Sequence, residues 1–139
     1  MKSVVTLLRV KQREIDVLKR QQALLENQRE DVKGRMARLH QQLLDEMQSA
    51  ERIPEMAHFF GDFSVTIKKR QEQLLVHLKK LEVELDKLAV QLFDRFSEMK
   101  KYELALANWK KRNAEIAVRR AQQYMDEVAI RGYIRRDEQ

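Results

Sequence analysis

The stretch ERIPEMAHFFGDFS, residues 51–64, decides how this chain folds, because a helical pattern runs up to it, stops, and resumes beyond it. Pro54 removes a backbone donor and pushes the residue before it, Ile53, towards extended backbone, so a helix arriving from the N-terminal side ends there. Gly61 followed by Asp62 supplies turn chemistry a few residues later. The reading is a hinge over 53–63 between a helix over 4–52 and a second helix over 64–136, all within one antiparallel coiled-coil domain spanning 1–139. Three phenylalanines, Phe59, Phe60 and Phe63, crowd this short connection. They are expected to cap the end of the helix pair; the competing reading is a patch that faces a partner.

On the N-terminal side the apolar residues fall on a narrow stripe: Val4, Leu8, Ile15, Leu18, Leu25, Val32, Met36, Leu39, Leu43 and Ala50, at alternating spacings of three and four. Lys11, Gln22, Arg29 and Glu46 fill the remaining positions. Such a stripe suits a coiled-coil partner better than a globular core, which asks for a broader apolar face. Asp16 with Arg20 and Asp31 with Arg35 stand four apart on the solvated side, where opposite charges add small support.

Beyond the hinge the stripe resumes with Ile67, Leu74, Leu78, Leu81, Leu85, Leu88, Leu92, Met99, Tyr102, Leu106, Trp109 and Ile116, interrupted by Gln71, Arg95 and Asn113. It then fades through Arg120, Gln123 and Glu127 before Ile130 and Ile134. Arg29, Arg95 and Asn113 on the seam read as register devices, since a polar seam residue costs stability but penalises slipped pairings.

Two such helices joined by a short hinge hide their stripes on each other as an antiparallel hairpin. Reflection about the middle of the hinge, residue 58, sets Val4 opposite Arg112 and brings His40 and His77 to similar heights. Trp109 is then expected in the core where the first helix begins. At 1.5 Å per residue the arms are roughly 70 Å and 110 Å long, so the second helix overhangs from about residue 113 onward.

Composition agrees with an all-α protein: of 139 residues 36% are charged, with three glycines and one proline. Absence of cysteine excludes disulfides and thiolate metal sites and fits a cytoplasmic setting. The apolar run in MKSVVTLLRVKQRE is too short for a secretion signal or a membrane span. Net charge is +6, and residues 95–136 alone hold eleven Lys or Arg against five Asp or Glu. The basic charge is therefore concentrated at the overhanging end.

No phosphate-binding glycine loop, nucleophile elbow or His-Glu-x-x-His motif is present, and the reading is of a non-enzyme without cofactors. His40 and His77 supply at most two ligands where a structural zinc site needs four. The basic end is less dense in Arg and Lys than a basic-zipper recognition helix and carries more apolar surface than phosphate tracking requires. Its arginines and apolar residues do not separate into the two faces of a membrane-surface helix. Neither nucleic acid binding nor membrane insertion is expected. A helix bearing Ile116, Tyr124, Val128 and Ile134 beside arginines suits a protein groove or ring with apolar pockets and acidic rims.

The opening LLRVKQREIDVLKRQQ, the layout of long helix, hinge and longer helix, and above all the ending MDEVAIRGYIRR resemble the FliJ family of the flagellar type III export apparatus. The specific part of the resemblance is Met125, Asp126, Glu127 and Ala129 with Arg131, Arg135 and Arg136; Leu7, Leu8 and Arg9 add support. The resemblance implies a hairpin similar to the stalk of rotary ATPases. It implies that the terminal end binds the export ATPase ring and promotes its assembly or activity, through Ile116, Arg120, Tyr124, Met125, Asp126, Glu127, Ala129, Arg131 and Arg135. The hinge side would reach the cytoplasmic export gate through Phe59, Phe60, Phe63 and Ile67. A chaperone-escort role, a monomeric state and a place at the base of the export apparatus are implied as well. Glu127 and Arg131 also read as an ordinary surface pair four apart. The alternatives are a generic structural coiled coil that homodimerises and the equivalent stalk of a virulence-type injectisome.

Overall fold

The computed structural model describes residues 1–137 as two α-helices joined by one turn: α1, Lys2–Arg52; a 3-10 turn, Pro54–Met56; and α2, Ala57–Asp137. The protein is an all-α hairpin whose second helix is the longer, and no strand occurs among the described residues. The reversal rests on Pro54. Ile53 before it is extended, at φ −121° and ψ 100°, as steric pressure from a following proline demands. The Ile53 N–H still donates to the Ser49 carbonyl at 3.0 Å, and the Met56 N–H donates to the Ile53 carbonyl at 2.9 Å. Pro54 itself occupies the first position of its turn, where a missing N–H costs nothing.

Residues 57–63, expected in the hinge, belong instead to α2. Gly61 is helical without any left-handed φ, and a Cβ there would meet nothing within 4 Å. Glycine costs about 1 kcal/mol in a helix interior relative to alanine. That cost is offset by burial: Phe60, Phe63 and Ser64 are half-buried and Ile67 is 2% exposed, at helical spacing on one face. The Ser64 hydroxyl donates to the Gly61 carbonyl at 2.9 Å and the Thr66 hydroxyl to the Asp62 carbonyl at 3.1 Å. Local turn propensity yields to packing.

Shortening the hinge moves the register. Lys11 meets Glu98, seven positions before the Ala105 that reflection about residue 58 assigns to it. His40 lines a shallow groove with Lys68, Gln71 and Glu72, so it does not come level with His77. Both shifts follow from a reversal centred near residue 54 rather than 58.

The chain divides into two compact units. The first, Glu14–Asp94, contains every buried side chain among the described residues: Ile15 and Val32 from α1, and Ile67, Leu81, Leu85, Leu88 and Leu92 from α2. Within it the helices run antiparallel, with Gln21, Leu24, Leu25 and Gln28 sharing a groove with Glu84, Lys87, Leu88 and Gln91. The polar seam members Gln22, Arg29 and Gln71 are half-buried, and Glu46 is exposed. Arg29 lays its stem on the seam and brings its Nε to 3.8 Å from the Glu30 carboxylate, the behaviour of a long cation that covers apolar surface while its head seeks solvent or charge. The Asp31 and Arg35 pair forms, at 3.2 Å.

The second unit, Met1–Arg13 with Arg95–Gln139, has no fully buried side chain among its described residues. Val4, Val5, Leu8, Met99, Tyr102 and Leu106 are half-buried, and every described residue after Leu106 is exposed. Trp109 is 41% exposed and lies past the covered part of the stripe, contrary to its expected place in the core. An interhelical ion pair lies here: Lys11 Nζ is 2.7 Å from Glu98 Oε2, with Arg95 Nη1 at 3.8 Å from the same oxygen. The Lys11 hydrogen bond holds the Glu98 carboxyl below its ordinary value of 4.5; partial burial opposes this, and the charges of Lys11, Arg95 and Lys101 assist.

Two outcomes follow. Leu85→Ala or Leu88→Ala should lower unfolding stability by about 2 to 5 kcal/mol, read from denaturant melts, because each empties a buried seam position. A carboxyl depressed in the folded state contributes stability that is complete above its unfolded pKa and disappears as pH falls through the folded value. Thermal melts of Glu98→Gln should therefore lose the part of the pH dependence that lies below about 4.5 while the parent keeps it; identical pH slopes would show that the pair contributes nothing.

Candidate partner-binding surfaces

Two surfaces were expected to meet partners: the end of α2 and the turn. Past Leu106, α2 continues without interruption to Asp137 with every residue exposed, including Ile116 (43%), Tyr124 (65%) and Met125 (66%). Its last turn carries Arg135 and Arg136, cations that favour the negative end of the helix dipole.

Helical geometry sorts the expected contact residues of this segment. At about 100° per residue, Ile116, Arg120, Tyr124, Glu127, Arg131 and Arg135 fall within roughly 100° of arc, on spacings of four, four, three, four and four. Val128 borders that arc. Met125, Asp126 and Ala129, the most distinctive residues of the ending, lie on the other side of the helix. The expected set is thus one mixed apolar and cationic face plus three residues that cannot share a flat contact with it. Both carboxylates of the segment's Asp126-Glu127 pair are exposed.

At the turn the expected residues separate by burial. Phe59 is 68% exposed and meets the His58 ring edge-on at 6.1 Å. Phe60 and Phe63 are half-buried, and Ile67 belongs to the core at 2% exposure. Ile53 (48% exposed) and Met56 (44%) join Phe59 as uncovered apolar side chains at the turn, and neither was among the residues expected to meet a partner. Their three-residue spacing, Ile53, Met56, Phe59, was the available signal.

Among the described residues no group of three or more His, Asp or Glu is placed to hold a metal ion. No helix among them is long and apolar enough to cross a membrane. The recognisable features are those of a coiled coil: a leucine seam, a proline turn, and a basic helical end whose described residues are all exposed.

No curated protein and no solved structure matches the chain significantly. A family model described as Flagellar FliJ protein matches residues 1–138, nearly the whole sequence. Joined to the helical hairpin and the uncovered basic end of α2, that match places the chain in the FliJ family, a coiled-coil component of the flagellar type III export apparatus.

Proposed function

We propose that this protein is the stalk of the flagellar export ATPase. The end of α2 enters the hole of the ATPase ring and promotes ring assembly and hydrolysis. Ile116, Tyr124 and the neighbouring Arg120, Arg131 and Arg135 supply its principal contact face, with Met125, Asp126 and Ala129 touching a different subunit of the ring from the far side of the helix. A helix enclosed by a ring uses all its faces, which accounts for contact residues on opposite sides. At the other end Phe59, Phe60 and Phe63 face the cytoplasmic export gate, and Ile67 acts from the core by fixing the helix that presents them. The protein works as a monomer at the cytoplasmic base of the apparatus and escorts export chaperones, with no catalytic group of its own.

The observation that carries this reading is the exposure of every described residue after Leu106 in a segment that remains helical and bears a face of arginines and apolar side chains. Uncovered apolar helix costs free energy in water, and a partner groove recovers it.

ATP hydrolysis by the cognate export ATPase, titrated with the intact chain and with a chain ending at Asn113, tests the reading. Stimulation by the intact chain alone is expected. Folded intact protein that leaves the ATPase unchanged refutes the stalk assignment. The shortened chain should melt within a few degrees of the parent, since no described residue beyond 113 contributes buried surface. Concentration-dependent melting of the intact chain would show instead a coiled coil that homodimerises.

A further inference from the structure

The start of α1 is held on α2 by little apolar burial. In the unit that Met1–Arg13 forms with Arg95 and the residues after it, Val4, Val5 and Leu8 from α1 and Met99, Tyr102 and Leu106 from α2 are half-buried, and no described side chain is fully buried. Local preference adds little. Val4, Val5, Thr6 and Val10 are β-branched, and about a dozen residues are too few for a stable isolated helix. The first turn of α1 has no acid to complement the helix dipole.

Charge works against the pairing as well. Residues 1–13 carry Lys2, Arg9, Lys11 and Arg13 and no carboxylate, and the facing stretch of α2 carries Arg95, Lys100 and Lys101. Two acids lie on that stretch. Glu103 is 4.0 Å from Lys100 on its own helix, whereas Glu98 reaches across to Lys11 at 2.7 Å and lies 3.8 Å from Arg95. Lys11 and Arg95 both occupy seam positions, so one carboxylate offsets the repulsion of two cations. Ile15, at 0% exposure, stands four residues past Lys11 and anchors α1 from there on. The change from loosely to firmly held helix therefore falls within about one turn of Lys11.

What residues 1–13 cover is the beginning of a longer stripe. Met99, Tyr102, Leu106, Trp109 and Ile116 follow at three, four, three and seven positions along one face of α2, and Trp109 and Ile116 are exposed. We infer that residues 1–13 are a detachable cover, latched by Glu98, that separates from α2 while the chain from Ile15 onward stays paired. Opened, α2 presents Met99, Tyr102 and Leu106 in line with Trp109 and Ile116, which lengthens its uncovered apolar face by roughly 10 Å. A partner that binds the lengthened face draws the equilibrium towards the open form. The cover belongs to the hairpin itself and stands whether or not the partner is an ATPase.

Hydrogen exchange of the intact protein tests this. Amides of residues 6–13 should exchange more slowly than those of an unstructured peptide, yet at least about a hundredfold faster than those of residues 16–32. Glu98→Lys, which sets a third cation beside Lys11 and Arg95, should speed residues 6–13 about fivefold or more and leave residues 16–32 unchanged. Adding Lys11→Glu, which restores an opposite pair, should slow them again. The chain has no cysteine, so a lone Leu106→Cys thiol reports on the stripe, and a maleimide should label it faster when Glu98→Lys is present. Unprotected amides at 6–13 in the parent, exchange that rises together in both segments, no effect of Glu98→Lys, no recovery in the reversed pair, or labelling indifferent to Glu98 would each overturn the inference.

Discussion

Everything in this protein depends on one strip of side chains. Leu81, Leu85, Leu88 and Leu92, with Ile67 on the same helix and Ile15 and Val32 on the other, are the buried residues of the described chain. A hairpin of two helices has no third layer, so each apolar position is covered from one direction only. That geometry explains why burial is confined to a single line, why it reaches completeness only at Ile15 and Ile67, and why so many valines and phenylalanines remain in water. It also explains the charge content: with so little interior, solvation of the outer faces keeps the molecule from associating through them indiscriminately.

Where the strip begins and ends is set by the turn. Pro54 fixes the reversal, and the half-burial of Phe60 and Phe63 with the burial of Ile67 draws the preceding residues into α2 despite Gly61. The ion pair of Lys11 with Glu98 then closes the thinner unit, where no described side chain is fully buried. A charged pair serves better there than a leucine layer: partly solvated, it costs less to leave uncovered, and a slide of either helix separates it.

The surfaces that the fold leaves uncovered are the ones open to a partner. A basic, partly apolar helix beyond Leu106 fits the proposed seat in an ATPase ring, and the turn-side Phe59, Met56 and Ile53 offer a small apolar contact at the other end. Membership in a flagellar export family gives these surfaces a common setting.

Period, composition and capping chemistry are local, and the sequence by itself therefore determined two helices, their seams and the overhang: of the positions read as seam in α1 only Glu46 is exposed. The basic end was legible for the same reason, since charge and the lack of a facing stripe can be counted. The register was not legible. A slide of seven residues, one full heptad, leaves every seam residue on the seam, so the stripe that identified the pairing could not distinguish Glu98 from Ala105 as the neighbour of Lys11. Only the tertiary structure decided it, through the burial of Ile67 and the half-burial of Phe60 and Phe63, which outweighed the glycine and shortened the hinge. The same packing put Trp109 past the end of the covered stripe and Ile67 inside the core: burial depends on which residues lie across the seam, and the order of residues along one helix does not contain that.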